Sequence, residues 1–396
     1  MSDRNVRPLN GGSRRHRLLF LVNVSWFFVS HRLALAEGAL AAGYDVHVAT
    51  RVTSLEDEES ITRGGLILHH VEIGRGDSGF LYDLRSVFAI WRLFRHLRPD
   101  VVHNVAMKPV IFGGIVARFG GVRRVVQAVP GLGSGFTGIG RGGGFRRRLM
   151  VWALRVACGH RGTLVILQNV EDIQALVDSG VISPDAAVLI RGSGVDVQAI
   201  ALQPEPPGCV RVVLAARMLR EKGVQEFVSA ARLLKEQGVA AEFLLAGDPD
   251  PSNPGSLSTA ELERFAAAGV VRYLGHVQDI PALFSTCHVV CLPTYYGEGV
   301  PRVLIEAAAS GRAIVTTDTP GCRDIVQADI NGLLVPVREV EALAGALRQL
   351  IDDPELRQRL GRAGRERALA AFDFSIVLRQ TLETYERLLG TPCESL

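Results

Sequence analysis

The chain has 396 residues, of which 47% are hydrophobic and 21% charged, and its formal net charge is +3. This apolar content can fill real cores and the length fits two ordinary domains, so a disordered chain is excluded. The nearly balanced charge gives no support to nucleic-acid binding, and no nucleic-acid partner is expected. The six cysteines lack the paired spacing of a zinc site, which favours free thiols over metal ligands or disulfides.

The N-terminal residues pose a choice between a secretory signal and the first strand of an α/β domain. A basic tail, residues 1–16, and Arg17 precede an apolar run over residues 18–29. Asn23 and Ser25 interrupt that run, and a run of about a dozen residues is too short to cross a bilayer. We therefore expect the first strand of a domain, in a cytoplasmic protein that is peripheral on the cytoplasmic face of the membrane.

Short apolar strands alternate with amphipathic helices from residue 17 to residue 200. This alternation is typical of a parallel sheet covered on both faces, so we predict one Rossmann-like domain here. One helix is predicted over Ser30–Ala42, with Ser30 as its N-cap and Gly43 as its stop. The predicted strands are Leu18–Asn23, Asp45–Ala49, Ile67–His70, Val101–Val105, Arg124–Ala128, Leu164–Gln168 and Ala187–Arg191.

A proline-rich segment, residues 201–208, interrupts the alternation and is predicted to be a linker, since it holds three prolines and a glycine. A second α/β series over residues 209–374 predicts another Rossmann-like domain. Its predicted strands are Val210–Ala215, Glu242–Leu245, Val271–Leu274, Val289–Leu292, Ala313–Thr316 and Gly332–Val335, and the closing helices are Val340–Ile351, Pro354–Ala371 and Ser375–Leu389. The last helix, 375–389, is expected to pack back on the first domain. Ligands of such sheets bind at the carboxyl ends of the strands, so the two domains are predicted to face one interdomain cleft.

The strongest functional signal is the segment over residues 295–306, YYGEGVPRVLIE. Pro301 predicts a helix start, which places Glu298 in the preceding loop and Glu306 about one and a half turns inside the helix. The start of a helix attracts anions, and a carboxylate on each side can hold hydroxyl groups. The alternative is a surface helix with two solvated glutamates. The glycine on each side of Glu298 favours a ligand site, because glycine permits close approach of the backbone.

A second signal, ARMLREKG over residues 216–223, follows the first strand of the second domain. Arg217 and Lys222 lie at the carboxyl end of that strand, where both can reach a diphosphate, and Gly223 opens the next helix. An ordinary charged loop is the alternative.

Together these segments resemble family 4 of the retaining GT-B glycosyltransferases, with R-x-x-x-x-K-G, two glutamates separated by seven residues, and GVPRVLIEAAASG much as it stands here. The resemblance covers residues 210–389 and implies a GT-B fold of two tandem doubly wound domains. It implies that Arg217 and Lys222 hold the diphosphate of a nucleotide sugar. Glu298 is then a catalytic residue that holds the transferred sugar, and Glu306 binds the ribose hydroxyls.

The resemblance also assigns backbone contacts to the sugar donor. The amides of Gly299 and Val300 follow Glu298 in holding the sugar. The turn formed by Gly275, His276 and Val277 matches the place where the family seats the nucleobase. No metal site and no cofactor are implied, since the nucleotide sugar is a co-substrate.

The first domain resembles the family more loosely. Residues 25–31 keep His31 at the first strand–helix turn but carry bulky aromatics where many members have glycines, which suggests a more apolar acceptor side. His31 and Lys108 are predicted on the acceptor side, and His103 is predicted to be catalytic, with a structural histidine as the alternative. Residues 27–48 and 100–109 resemble a subgroup acting on polyprenyl-diphosphate-linked sugars in bacterial glycan assembly.

Three further segments need separate interpretations. Residues 136–152 interleave arginines with aromatic and aliphatic residues, which predicts contact with an anionic membrane, with a solvated basic helix start as the alternative. The glycine-rich residues 131–144 are interpreted as an acceptor loop. Asp248-Pro-Asp250 is interpreted as a turn and not as a metal site.

The implied function is retaining transfer of a hexose or N-acetylhexosamine from a nucleotide sugar, UDP-linked, to a polyprenyl-diphosphate-linked saccharide or another glycan. Two alternatives remain: a sugar-nucleotide epimerase or hydrolase of the same fold, and a non-catalytic subunit that binds the nucleotide sugar. Incubation with a nucleotide sugar alone separates them, because epimerisation or rapid hydrolysis indicates the first and inert binding the second.

Overall fold

The computed structural model of the protein describes residues 15–74, 79–132, 143–295 and 297–390. The chain divides into two compact units. The first unit is Met1–Ser193 together with Val377–Leu396, and the second unit is Gly194–Ile376.

The first unit contains a parallel sheet of seven strands in the order β3-β2-β1-β4-β5-β6-β7. Strands β1, β4, β5 and β6 are buried along most of their length on both faces, which explains their continuous apolar sequences. The strands are β1 (Arg17–Val24), β2 (Asp45–Arg51), β3 (Ile67–His70), β4 (Val101–Val105), β5 (Val125–Val129), β6 (Thr163–Leu167) and β7 (Ala187–Leu189).

Helices cover both faces of this sheet. They are α1 (Ser25–His31), α2 (Leu33–Ala41), α3 (Leu55–Arg63), α4 (Phe80–Leu97), α5 (Met107–Gly120), α6 (Gly143–Cys158) and α7 (Val170–Asp178), with a 3-10 turn at Pro184–Ala186. Helix α5 packs against both α4 and α6, so these three helices lie side by side.

The single helix predicted over residues 30–42 is wrong. Helix α1 starts directly after β1, and the helical conformation is interrupted at Arg32, whose φ of −134° and ψ of −14° separate α1 from α2. Ser30 therefore lies in the last turn of α1, where its Oγ donates a hydrogen bond to the carbonyl of Trp26 at 2.8 Å. A serine in this position caps no helix.

The second unit contains a parallel sheet of six strands in the order β10-β9-β8-β11-β12-β13. The strands are β8 (Val210–Ala215), β9 (Ala241–Ala246), β10 (Arg272–Tyr273), β11 (Val289–Leu292), β12 (Ala313–Thr317) and β13 (Leu333–Val335). Its helices are α8 (Val224–Glu236), α9 (Thr259–Ala267), α10 (Ile280–Ser285), α11 (Arg302–Ala309), α12 (Pro320–Ile325), α13 (Val340–Asp352) and α14 (Pro354–Ala371), with a 3-10 turn at Arg220–Lys222. The last helix, α15 (Phe374–Leu389), starts in the second unit and lies mostly in the first.

Both sheets have the strand order of a doubly wound Rossmann-like domain, so the predicted fold class is confirmed. In each sheet the winding reverses beside the first strand, between β1 and β4 and between β8 and β11. Ligands of open α/β sheets bind at the carboxyl ends of the strands at such a switch point.

The last helix, α15, carries the chain from the second unit back to the first, with the boundary between Ile376 and Val377. Tyr385 on α15 is fully buried, and its hydroxyl lies 2.6 Å from Nδ1 of His103 on β4. Arg387 donates to the carbonyl of Asp185 at 2.7 Å. These contacts fix α15 on the first unit.

The proline-rich segment, residues 201–208, is bound to the second unit and does not act as a free linker. The buried Arg357 pairs with Glu205 at 3.0 Å. The guanidinium of Arg312, which is also buried, donates to the carbonyls of Gln203 and Pro204. Buried guanidinium groups need hydrogen-bond partners, and this segment supplies them. The boundary between the two units lies between residues 193 and 194, so residues 201–208 belong to the second unit.

Candidate functional site

The loop after β8 lies unusually close to the segment that follows β11. Gly223 has a φ of +78°, and a Cβ at this position would lie 2.1 Å from the carbonyl oxygen of Pro293. Only glycine permits both this left-handed conformation and this approach. The backbone amide of Tyr295 adds a hydrogen bond of 3.0 Å to the carbonyl of Glu221. The two loops are thus joined across the switch point of the second sheet.

Lys222 and Glu298 form a charged pair across this switch point. Lys222 Nζ lies 2.5 Å from Glu298 Oε2, and the two side chains are only 15% and 19% exposed. The hydroxyl of Thr294 lies 3.0 Å from the other carboxylate oxygen, Oε1, and 3.1 Å from the carbonyl oxygen of Glu221, and both accept from it. The carboxylate is therefore held by an ammonium group and a hydroxyl, which fixes its orientation.

Arg217 also lies in the loop after β8, but its side chain extends towards β9, the strand on the other side of β8 from β11. Its Nη1 lies 2.7 Å from Oδ2 of Asp250, which follows β9. Ser252 donates to the second oxygen of Asp250 at 2.6 Å. Asp248-Pro-Asp250 is thus more than a turn, because Asp250 positions a residue that is predicted to hold the diphosphate. Of the three cations of this loop, Arg217 and Lys222 are consequently held on opposite sides of β8, while the third, Arg220, pairs with Glu261.

Helix α11 begins at Arg302, with Pro301 as its N-cap, within one residue of the predicted start. Gly299 and Val300, which precede it, are buried. A Cβ at Gly321 would lie 2.0 Å from the carbonyl oxygen of Gly299, so the start of α12 packs directly on this loop. Close backbone packing of this kind fixes the position of the loop in front of α11.

Glu306 lies inside α11 and is mostly shielded from solvent. Its side chain is 13% exposed, and Oε1 accepts a hydrogen bond from Arg302 Nε at 2.8 Å. Burial raises the pKa of Glu306, and the charge of Arg302 opposes this rise. The alternative of two solvated glutamates is wrong, since Glu298 and Glu306 are both largely buried and both paired.

The turn predicted to seat the nucleobase follows β10. The carbonyl of Gly275 accepts a hydrogen bond of 2.7 Å from the amide of Gly247, which ties this turn to the end of β9. His276 is 65% exposed and lies 3.6 Å from Asp248. Val277 packs against the core of the second unit. Gly275 and Val277 are half-buried, and nucleobase binding by the backbone of this turn stays a prediction.

Two residues predicted on the acceptor side lie in the first unit and have polar partners there. His31 Nδ1 lies 2.6 Å from Ser30 Oγ, and the imidazole stacks on Phe27 with 4.5 Å between ring centroids. Lys108 Nζ pairs with Asp83 Oδ1 at 2.8 Å. Their contact with an acceptor stays a prediction.

His103 is buried within the first unit, with an exposure of 1%. Its ring stacks on Phe20 at 4.9 Å and forms the hydrogen bond to Tyr385 described above. Burial, together with the charge of Arg32, lowers the pKa of His103 well below its ordinary value. The imidazole is therefore neutral at pH 7, and this environment favours the structural alternative over the predicted catalytic role.

Much of the predicted membrane segment lies outside the described residues, as do residues 133–142 of the glycine-rich loop. In the described part of residues 136–152, Arg147 and Arg148 are exposed. Leu149 and Trp152 are also exposed, by 55% and 60%. No helix among the described residues is both long and apolar enough to cross a bilayer.

Three site residues were missed by sequence reasoning: Asp250, Thr294 and Arg302. Asp250 and Thr294 closely follow β9 and β11, Arg302 is the first residue of α11, and each contacts a residue that was predicted. Only their position in the chain could have indicated Asp250 and Thr294, because polar residues that follow parallel strands lie together at one edge of the sheet.

Two parallel-sheet Rossmann-like units, with paired charges at the switch point of the second, define a protein of the GT-B type. Residues 203–367 match the family described as Glycosyl transferases group 1, and residues 17–169 match the family described as Glycosyl transferase 4-like. The chain belongs to the GT-B glycosyltransferases that combine these two domains.

Similar proteins agree with this assignment. A Campylobacter jejuni protein, N,N'-diacetylbacillosaminyl-diphospho-undecaprenol alpha-1,3-N-acetylgalactosaminyltransferase, is 28% identical over 340 residues, covering 82% of this chain and 87% of its own. Sucrose-phosphate synthase from Thermosynechococcus elongatus has a similar fold, with a TM-score of 0.76, 19% identity and coverage of 95% of this chain and 100% of that one. Anabaena HepE, solved with UDP and glucose, has a TM-score of 0.74 and 17% identity, with coverage of 94% and 100%.

Proposed function

We propose that the protein is a retaining glycosyltransferase that uses a UDP-linked nucleotide sugar and adds a hexose or N-acetylhexosamine to a polyprenyl-diphosphate-linked saccharide. The observation that carries the proposal is the Lys222–Glu298 pair at the switch point of the second sheet. The names of the similar proteins support its two substrates: HepE was solved with UDP and glucose, and the Campylobacter name specifies a diphospho-undecaprenol acceptor.

Two cations of the loop after β8, Arg217 and Lys222, have the chemistry that the leaving group needs. When the bond between the anomeric carbon and the phosphate oxygen breaks, negative charge develops on the diphosphate. Lys222 and Arg217 are held at the end of β8 by Glu298 and Asp250, so both are positioned before the reaction. Preorganised charge of this kind stabilises the transition state.

The proposed transfer proceeds on one face of the sugar ring. The acceptor hydroxyl forms the new bond to the anomeric carbon on the face that the diphosphate leaves, and its proton passes to the departing phosphate oxygen. This route needs no protein base, and two side-chain cations can supply the positive charge without a metal. We therefore keep the expectation that neither a metal nor another cofactor is required.

The two glutamates divide the recognition of the sugar donor. Glu298 is positioned by Lys222 and Thr294 to accept hydrogen bonds from the transferred sugar. Glu306, held by Arg302, accepts from the ribose hydroxyls. The membrane is the source of the acceptor, so we place the protein peripherally on its cytoplasmic face.

A transfer assay tests this function. The purified protein is incubated with radiolabelled UDP-glucose, UDP-galactose, UDP-N-acetylglucosamine or UDP-N-acetylgalactosamine, with a short-chain polyprenyl-diphosphate-linked saccharide, with and without EDTA. We expect one sugar donor to label the lipid product equally in both conditions, with an α-anomeric coupling constant by NMR. Conversion of the sugar donor without labelled lipid indicates an epimerase or hydrolase, and a β-linked product contradicts retention.

A further inference from the structure

Helix α4 exposes a continuous apolar face that the first unit does not cover. Five large residues form it, and we call them the α4 surface: Phe80 (80% exposed), Leu81 (73%), Leu84 (55%), Phe88 (57%) and Trp91 (40%). Large apolar side chains scattered singly over a surface are ordinary, but a contiguous group marks an interaction site.

The periodicity of the helix shows that these residues share one side. Positions 80, 84, 88 and 91 recur at the spacing of one helical face. The opposite side is buried, and Ile90 and Phe94 pack there into the core beside β1 and β4. The rings of Phe88 and Trp91 stack, with 5.7 Å between their centroids. The fold of the first unit therefore does not need the α4 surface for its own core.

Positive charge lies beside this apolar face. Arg85, Arg92 and Arg95 are exposed on the same side of α4, and the guanidinium of Arg95 lies 5.7 Å from the centre of the Trp91 ring. Within α4, all of which the structure describes, no exposed residue is acidic, since Asp83 is half-buried and pairs with Lys108. Glu72, which accepts a hydrogen bond from Tyr82 of α4, is the exposed carboxylate next to this helix. An apolar face bordered by the three arginines of α4 complements a surface that is apolar inside and anionic outside.

We propose that the α4 surface binds the protein to an anionic lipid bilayer, with α4 lying in the plane of the membrane. Aromatic and leucine side chains enter the boundary between headgroups and acyl chains, while arginines contact lipid phosphates. A second copy of the chain fits less well, because a symmetric contact brings the arginines of both copies together without a carboxylate. The exposed Leu149 and Trp152 of α6 extend the contact, but α4 carries the larger part.

This proposal rests on the proposed function and extends it, since the α4 surface would hold the protein at the membrane that contains the lipid-linked acceptor. Vesicle binding needs neither sugar donor nor acceptor, so its failure is distinguishable from failure of sugar transfer. The test uses the whole protein with vesicles of phosphatidylcholine and phosphatidylglycerol in equal parts, compared with vesicles of phosphatidylcholine alone.

Co-sedimentation of four variants with the vesicles measures which residues contribute to membrane binding. An apolar variant changes Leu81, Leu84 and Phe88 to glutamine, and a charge variant changes Arg85, Arg92 and Arg95 to glutamine. A control changes the isolated exposed residues Leu55 and Val170 to glutamine, and an α6 variant changes Leu149 and Trp152 to glutamine. Glutamine keeps the helix propensity high, so the fold should survive, which circular dichroism verifies.

We expect the charge variant to lose about 100-fold in partition onto the anionic vesicles, since each of its three arginines contributes about fivefold. The apolar variant should lose at least as much, because burial of each of its three large side chains contributes at least as much as one arginine. The control should bind as the unmodified protein does, and the α6 variant should lose less than the α4 variants. The proposal is overturned if the unmodified protein does not sediment with anionic vesicles, or if the α4 variants sediment as it does. It is also overturned if the apolar variant converts a dimer into a monomer, which assigns the α4 surface to self-association.

Tryptophan fluorescence provides an independent readout. The variant with Trp26 and Trp152 changed to phenylalanine keeps Trp91 as its one tryptophan, because the chain has three. Its emission should shift to shorter wavelength on addition of anionic vesicles, as the indole moves into the interface. An unchanged spectrum, under conditions in which the protein sediments with the vesicles, overturns the assignment to α4.

Discussion

Replacement of Lys222 by methionine removes one charge from the Lys222–Glu298 pair while keeping an unbranched side chain of similar length. The ammonium group is the nearest cation to the Glu298 carboxylate, at 2.5 Å, and in our account it also stabilises the leaving diphosphate. Loss of one preorganised charge-stabilising group typically lowers the rate by about 100- to 1,000-fold. We expect a loss of that size in kcat.

The same change should also destabilise the protein, since it leaves the Glu298 carboxylate mostly buried with one polar partner fewer. Exposed ion pairs contribute under about 1 kcal/mol, and buried pairs cost about 3–5 kcal/mol when one partner is removed. With exposures of 15% and 19% the pair lies between these limits, so we expect a loss of about 2 kcal/mol. Adding Glu298→Gln should restore most of the stability but none of the activity.

Initial rates of sugar transfer and urea unfolding curves measure the two effects. Arg220→Met is the matched control, because Arg220 lies in the same 3-10 turn and pairs with Glu261 at 2.6 Å, away from Glu298. The control should keep turnover within about threefold of the unmodified protein, the small change expected of a charge outside the reaction centre. A folded Lys222→Met protein with turnover in the range of this control refutes the assignment of Lys222 to the diphosphate.

Three further predictions concern single residues. Glu306→Gln should weaken UDP binding, measured by calorimetry, more than Glu298→Gln does. Burial raises the pKa of Glu306, so ionisation of this carboxyl opposes folding above the raised pKa, and the Glu306→Gln protein should be no less stable than the unmodified protein at pH 7. The free energy of unfolding should fall as the pH drops below 6.5, the ordinary histidine pKa, because His103 is protonated only in the unfolded state. The expected slope is up to about 1.4 kcal/mol per pH unit, and His103→Phe should reduce it. Gly223→Ala should cost about 3 kcal/mol and Gly238→Ala about 1 kcal/mol, since both have positive φ but only Gly223 faces a close carbonyl; equal costs contradict the proposed constraint.

The strands of the second unit were predictable in detail because β8, β9, β11 and β12 are buried along most of their length and therefore appear as apolar runs. Pro301 predicted the start of α11 to within one residue, since its fixed φ and missing amide suit only the first positions of a helix. The placement of Glu298 ahead of that helix followed directly. Local chemistry is enough for predictions of this kind.

The pairing of side chains was not predictable, because it depends on strand order. Lys222 meets Glu298 only because β8 lies beside β11, and Arg217 meets Asp250 only because β9 lies on the other side of β8. Periodicity reveals strands but not their neighbours. For the same reason an aspartate that positions Arg217 was interpreted as part of a turn.

The sequence also did not show which charged and amphipathic segments the fold covers. Residues 201–208 have the composition of a linker, yet Arg312 and Arg357 from distant helices and loops bind them. Helix α4 has large apolar residues on both its buried and its exposed side, so its sequence alone does not show which of them the fold leaves uncovered.

A crystal structure of the protein with UDP shows whether the Lys222–Glu298 pair and its neighbours hold a nucleoside diphosphate. We predict that Lys222 Nζ and the Arg217 guanidinium lie at hydrogen-bonding distance, about 2.7–3.2 Å, from diphosphate oxygens, with the Glu306 carboxylate on the ribose hydroxyls. UDP bound away from the carboxyl ends of β8 and β11, with neither Lys222 nor Arg217 in contact with a phosphate oxygen, would show that these residues do not hold the diphosphate.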